Sequence, residues 1–141
     1  MVNLFSTALR LIIAFILGSI IGFERQKKGG GAGLRTHILV TVGSTLIMLT
    51  SLYIYGIYQE AATVDPGRIA AGVITGIGFL GAGTIIRSKE GVHGLTTAAS
   101  IWVSAAIGLA IGCGYISGAI IVTGISYLVL SFLKKIEKET I

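Results

Sequence analysis

Charged side chains at the ends of the apolar segments are the first candidates for chemistry in this sequence. Arg10 lies inside the first apolar segment, and Asp65 and Arg68 lie at the start of the third. An arginine in apolar surroundings needs a partner or a route to water. We therefore predict a cluster of Arg10, Asp65 and Arg68, although the pair Asp65–Pro66 also has the pattern of a helix N-cap followed by a first-turn proline.

A second group of charges surrounds the end of the first apolar segment. Glu24 is placed where the carbonyl end of a helix carries partial negative charge, so its carboxylate needs a cation. We predict that Arg35 or Arg87 supplies it, in a cluster of Glu24, Arg35 and Arg87. Both clusters fit a structural ion pair and a functional site equally well, because charges near an apolar core are costly to retain.

The other reactive side chains lack the spacing of a catalytic or metal site. His37 and His93 have no cysteine or acid at ligand or triad spacing, and we expect both to be solvated. Cys113 is the single cysteine, which excludes an intramolecular disulfide, and Trp102 fits a packing position. Magnesium is usually bound through one or two carboxylates, yet every acid lies at a segment edge. We predict no enzyme activity, no metal site and no cofactor.

Composition predicts that lipid surrounds most of this chain. Of 141 residues, 53% are hydrophobic and 12% charged, whereas soluble domains have about 25% charged residues. Five apolar runs each approach the roughly 20 residues that cross a bilayer as a helix. They are Leu4–Phe23, Thr36–Tyr58, Ile69–Ile86, Leu95–Cys113 and Tyr115–Leu133. We predict an all-α polytopic membrane protein, with residues 1–141 forming a single domain of about five transmembrane helices and no soluble domain.

The boundary between the fourth and fifth runs consists only of Gly112, Cys113 and Gly114. A kinked helix pair and a tight hairpin both satisfy this pattern. We favour the hairpin, because one unbroken helix would be too long for a single crossing.

Basic residues predict the orientation of the chain. They occur in the first loop, the third loop and the tail, namely Arg25, Lys27, Lys28, Arg35, Arg87, Lys89, Lys134, Lys135 and Lys138. Positive segments remain cytoplasmic, so we expect the N-terminus outside and the C-terminus in the cytoplasm. The net charge of +5 is then a topology signal, and we predict no nucleic-acid partner.

Glycines recur at spacings that predict helix–helix packing. Small residues four positions apart let helix backbones approach closely in lipid. The pairs are Gly18–Gly22, Gly72–Gly76, Gly108–Gly112 and Gly114–Gly118, and Thr96, Ser100 and Ser104 extend the third pair into a stripe. We predict that these positions pack against other helices and favour a homo-oligomer; lining of a permeation path is the alternative.

Four segments of the sequence together resemble the MgtC/SapB family of bacterial inner-membrane proteins. They are "GFERQ" at 22–26, "AGLRTH" at 32–37, "DPGRIAAGVITGIGFLGAG" at 65–83 and "GLTTAASIWVSAAIGLAIG" at 94–112. The resemblance implies a five-helix domain in the bacterial inner membrane and a link to growth under magnesium limitation.

The resemblance also implies which polar residues carry the family's function. Its signature positions correspond here to Glu24, Arg25, Arg35, Thr36, Asp65, Arg68, Thr96 and Thr97. From the sequence alone, Thr96 and Thr97 are first interpreted as helix caps. Two departures stand out: Gly72 replaces the glutamine usual after the paired alanines, and we expect no counterpart of the ACT-like domain that follows the last helix in some members.

Two functions remain compatible with these observations. The first is a non-catalytic modulator that binds another membrane protein and adjusts magnesium-linked ion homeostasis or membrane energetics under stress. The second is an oligomeric channel or transporter with a path between the third and fourth helices. We favour the first, because the apolar spans contain no acid and packing explains the third helix better.

Overall fold

The computed structural model describes residues 3–58, 64–89 and 91–133, with the side chain of Leu133 outside the description. The basic tail residues used to predict orientation, Lys134, Lys135 and Lys138, lie outside these ranges. Within them the chain is mostly helical, as predicted from its apolar runs.

Five helices follow the predicted runs closely in the described ranges. Their bounds are α1 Leu4–Lys27, α2 Leu34–Tyr58, α3 Pro66–Ala82, α4 Leu95–Cys113 and α5 Ile116–Leu128, and a π-helical turn, Val129–Leu133, extends α5. Helices α1, α2 and α4 are long and apolar enough to cross a membrane, whereas α3 and α5 are shorter. Three helices thus have the length and composition of membrane spans, and five crossings remain a prediction.

A small antiparallel hairpin follows α3, where the sequence predicted continued helix. Strands β1, Ile86–Ser88, and β2, Gly91–His93, pair with Ile86 opposite His93. The predicted third run extended to Ile86, but α3 ends at Ala82 because the next residues, Thr84 to Ile86, are β-branched and favour extended backbone. Arg87 is consequently a strand residue and not the last residue of a helix.

Helices α4 and α5 form the predicted hairpin. Gly114 has a left-handed backbone (φ 93°), and its N–H donates to Ile111 O at 3.0 Å while Tyr115 N–H donates to Ala110 O at 2.8 Å. These two bonds close the helix end in a Schellman motif, for which glycine is favoured. One cavity is lined both by Thr96, at the start of α4, and by Val129, at the end of α5. The two helices therefore run antiparallel.

The glycine pair of α1 packs on α2, as predicted. A Cβ atom on Gly18 would lie 2.9 Å from Thr41 Oγ1, and one on Gly22 would lie 2.8 Å from Leu34 Cα. Both distances are too short for a real side chain, so the two backbones approach as closely as glycine allows.

The small-residue stripe of α4 also packs on α2. A Cβ on Gly108 would overlap the carbonyl oxygen of Thr41, and one on Gly112 would lie 2.8 Å from Thr45 O. Thr45 Oγ1 donates to Gly108 O at 2.9 Å. Ser100 and Ser104 are buried in the same contact, but Thr96, the first residue of the stripe, is exposed. Helix α2 therefore contacts both α1 and α4 at their glycines.

Helix α3 packs differently, and the predicted role of its glycine pair was wrong within this chain. Gly72 and Gly76 are exposed, and a Cβ on either would meet no atom within 4 Å. The helix contacts α4 through Ile77 and Gly81 instead, with Gly81 facing Ala98. Gly118 of the fourth pair faces the ring of its near neighbour Tyr115.

Candidate functional site

One cavity at one end of the bundle brings together Glu24, Arg25 and Lys28. It has a volume of about 740 Å³ and lies between the C-terminal end of α1, the glycine loop 29–31, the β1–β2 hairpin, the N-terminal end of α4 and the end of α5. We call it the Arg25 cavity. Its polar lining comprises Glu24, Arg25, Lys28, Thr84, His93, Thr96 and Thr97.

Arg25 is the central side chain of this cavity. Its Nη2 donates to Thr97 Oγ1 at 2.6 Å, which joins the last turn of α1 to the first turn of α4. A Cβ on Gly30 would lie 2.6 Å from Nη2, so the glycine loop lies directly against the guanidinium. Nε is inaccessible to solvent and has no hydrogen-bond partner in the described ranges.

Glu24 is buried, with 4% of its surface exposed, and it pairs with Lys28 within the same helix. The distance from Lys28 Nζ to Glu24 Oε1 is 3.0 Å. Lys28 Nζ also donates to Leu130 O at 2.7 Å. The predicted pairing of Glu24 with Arg35 or Arg87 was wrong, because a lysine four residues along the helix is within direct reach, and both arginines are exposed.

The predicted cluster of Arg10, Asp65 and Arg68 is likewise not formed. Arg10 Nη1 donates to the Gly112 carbonyl oxygen at 2.7 Å, at the end of α4. Asp65 acts as the N-cap of α3, accepting from Gly67 N–H at 2.8 Å, and Arg68 is exposed. The cap interpretation of Asp65 is therefore confirmed, and a carbonyl at the negative end of α4 replaces the carboxylate as the partner of Arg10.

The first turn of α4 lacks a side-chain cap. Gly94 precedes the helix with a left-handed backbone (φ 90°), and no side chain bonds the first N–H groups. A Cβ on Gly94 would overlap the Thr84 carbonyl oxygen, so only glycine fits there. The interpretation of Thr96 and Thr97 as caps was wrong: Thr96 is exposed beside the cavity, and Thr97 receives the Arg25 hydrogen bond.

His37 is a buried polar residue that the sequence interpretation assigned to solvent. It is fully buried, with Nδ1 2.8 Å from Gly33 O and Nε2 3.0 Å from Ser100 Oγ. Because a carbonyl only accepts, Nδ1 donates to Gly33. A four-residue repeat, His37, Thr41 and Thr45, places one polar row on the buried side of α2, and this spacing was the signal that could have identified it. His93 is exposed, as predicted.

The family positions named from the sequence divide into two groups. Glu24, Arg25, Thr96 and Thr97 line the Arg25 cavity. Arg35 and Thr36, at the start of α2, do not line it, and Asp65 and Arg68 lie at the far end of α3. Within the described ranges, no three His, Cys, Asp or Glu residues form a group that could hold a metal ion.

Comparison with known proteins identifies related sequences along most of the chain. The MgtC family model matches residues 11–139. A protein of Escherichia coli K12 named "Putative magnesium transporter YhiD" is 52% identical over 108 residues, which cover 75% of this chain and 50% of that protein. Protein SrpB of Synechococcus elongatus is 39% identical over 137 residues, covering 92% of this chain and 75% of SrpB.

Protein MgtC of Salmonella typhimurium LT2 is 43% identical over 120 residues, covering 85% of this chain and 49% of MgtC. The chain thus spans about half the length of YhiD and of MgtC. No solved structure matches the chain. The family match and the identities of these relatives lead to one conclusion: the chain belongs to the MgtC family.

Proposed function

We propose that this protein is a non-catalytic component of magnesium-linked ion homeostasis in the bacterial inner membrane, and that it acts by binding another membrane protein. The magnesium-transporter name of the Escherichia coli relative supports the link to magnesium. Support for a binding role comes from the surface of α3.

The observation that carries this proposal is a groove between α2 and α3 that no other part of the described chain fills. It is apolar, has a volume of about 470 Å³, and contains Gly43, Gly72 and Gly76. A Cβ on any of these glycines would meet no atom within 4 Å. Phe79, beside the groove on α3, is 82% exposed. Glycine surfaces of this kind accept a neighbouring helix in lipid.

The contact between α3 and α4 favours the binding role over an ion-transport path between these two helices. Ile77 of α3 packs with Ile101 and Ala105 of α4 in a buried apolar cluster. Such packing provides no oxygen ligands for a hydrated cation. The alternative function, transport along this contact, would require these side chains to separate.

A substitution in the groove tests the proposed function. Gly76→Leu fills the open surface, whereas Gly124→Leu makes the same change on α5, where a Cβ also meets nothing within 4 Å. We expect Gly76→Leu to abolish growth on limiting magnesium in a strain that depends on the protein, and to abolish crosslinking to its partner. Gly124→Leu should retain both, with equal amounts of folded protein.

Two results would contradict the proposal. One is full growth and crosslinking of Gly76→Leu. The other is magnesium flux by the purified chain in liposomes, which would establish the transport function instead. The mass of the crosslinked species separates a different membrane protein from a second copy of the chain, the predicted homo-oligomer.

The predicted orientation also belongs to this proposal. Arg25, Arg35 and Arg87 lie at the end of the bundle that contains the Arg25 cavity, while exposed Cys113 lies at the opposite end. With the basic end in the cytoplasm, Cys113 faces the periplasm. A membrane-impermeant maleimide should then label Cys113 in cells whose outer membrane is permeabilised and whose inner membrane is intact. A Cys113→Ser, Lys27→Cys variant should react only after the inner membrane is also permeabilised. The reverse labelling pattern would show that the topology is opposite to the predicted one.

A further inference from the structure

We propose that the Arg25 cavity is a binding site for a phosphate group, carried either by an anionic phospholipid headgroup or by a soluble phosphate. This inference goes beyond the proposed function and does not depend on the groove of α2 and α3. It rests on the donors that face the cavity, on their charge and on the cavity's size.

Arg25 supplies the first set of donors. One hydrogen bond, from Nη2 to Thr97 Oγ1, and the adjacent Gly30 backbone hold the guanidinium in place. Nη1 makes no hydrogen bond within the described ranges and is the donor left for a ligand, since Nε, although unpaired there, is closed to solvent. A fixed guanidinium with an unused Nη1 donor matches phosphate oxygens in charge and geometry.

The start of α4 supplies the second set of donors on the same cavity. Gly94, Leu95, Thr96 and Thr97 line it, and the first backbone N–H bond into this helix is from Ala98 to Gly94 O at 2.9 Å. The N–H groups of the preceding turn have no helical acceptor, and Gly94 offers no side chain to cap them. The exposed Thr96 hydroxyl adds a further donor at this positive helix pole.

The charge balance of the cavity favours an anion. Glu24 is the acid that lines its described walls, and the Lys28 ammonium pairs with it at 3.0 Å. Arg25 has no carboxylate partner among the described side chains. Arg35 and Arg87 are exposed at the same end of the bundle and add positive potential.

The size and composition of the walls suit a phosphate on a larger molecule as well as a free ion. The cavity measures about 740 Å³, and apolar side chains such as Val92, Leu95 and Leu130 line part of it. A headgroup with the start of its acyl chains could therefore occupy it, with its phosphate on Arg25 and the first turn of α4.

Binding of two defined probes to the full chain in a neutral detergent tests the site. Inorganic phosphate is titrated against chloride at equal ionic strength, with the thermal unfolding midpoint as readout. Phosphatidylglycerol is compared with phosphatidylcholine in mixed micelles, with retained lipid measured by native mass spectrometry. Selective binding of phosphatidylglycerol alone identifies a lipid site, and stabilisation by phosphate identifies a site for the soluble anion; either supports the inference.

Three variants locate the site. Arg25→Gln removes the charge, and Thr96→Glu places a carboxylate in the cavity at a helix position where an acid favours folding. Each should weaken binding of the effective probe by about tenfold or more, the value of one lost charged hydrogen bond. Arg35→Gln removes a charge from the same end without touching the cavity lining, and should change binding less than about twofold. The inference is overturned if neither probe binds, or if folded Thr96→Glu binds as the unmodified chain does.

Discussion

Helices α4 and α3 contain the same glycine spacing and use it in opposite ways. Gly108 and Gly112 of α4 bring its backbone onto α2, where no side chain could fit. Gly72 and Gly76 of α3 lie exposed, with no atom within reach of a Cβ. The spacing therefore predicts a surface suited to close approach, but it does not predict whether the partner helix belongs to the same chain.

The facing residues explain the difference between the two helices. Helix α2 presents Thr41, Ser44 and Thr45 to α4, and the Thr45 hydroxyl donates to the Gly108 carbonyl oxygen. Small residues on both sides permit close contact, and the hydroxyl adds a hydrogen bond. On α3, the residues that meet α4 are Ile77 and Gly81; Ile77 also lines one wall of the open groove, whereas Gly81 lies outside its lining.

The largest expected difference in stability is between two glycine-to-alanine variants, one on α4 and one on α3. Gly108→Ala forces a Cβ against the Thr41 carbonyl oxygen and Ser44 Cβ, and should lower the free energy of unfolding by about 3 kcal/mol. Gly76→Ala meets open space, and should leave the stability unchanged or raise it by up to about 1 kcal/mol. Unfolding in detergent micelles measures both.

Equal stability losses in these two variants would break the comparison. Such a result would mean that the α3 groove is filled when the protein is in micelles, or that α4 can move away from α2. Analytical ultracentrifugation of Gly76→Ala separates these cases, because only the first requires a second chain.

A smaller effect is expected at the charged end of the bundle. Glu24→Gln removes the buried partner of Lys28, which also holds the carbonyl of Leu130, and should lower the free energy of unfolding by about 2 kcal/mol. Arg35→Gln, at an exposed position, should change it by less than about 0.5 kcal/mol. Unfolding in detergent micelles measures both, and comparable losses in the two variants would contradict the Glu24–Lys28 pairing in favour of a pair between Glu24 and Arg35.

The helices were predictable from the sequence because the constraint is local. A membrane helix needs a continuous apolar run, and each run appears as a helix in the described ranges. Gly114 marked the α4–α5 turn for the same reason, since its left-handed backbone favours glycine.

The polar contacts were less predictable because they depend on relative rotation of the helices. Arg10 and Asp65 share one end of the bundle, yet each finds a backbone partner nearer than the other's side chain. His37 appeared to be at a helix start exposed to water, but α4 covers it and supplies Ser100. Sequence position gives the depth of a side chain in the bundle and not the neighbour that it faces.

The smallest expected effect separates a capping role of Asp65 from an ionic one. Helix α3 begins with Asp65 accepting from Gly67 N–H, and Arg68 nearby is exposed. Asp65→Ala should lower the free energy of unfolding by about 1 kcal/mol, the usual cost of a lost N-cap. Asp65→Asn retains an oxygen acceptor and should lower the free energy of unfolding by only about a few tenths of a kcal/mol. A full loss in Asp65→Asn would instead show that the negative charge matters, as in the predicted cluster with Arg10. Helix α3 makes no close glycine contact at Gly72 and Gly76. The difference in free energy of unfolding between these two variants therefore also measures how much the Asp65 cap contributes to the stability of this helix.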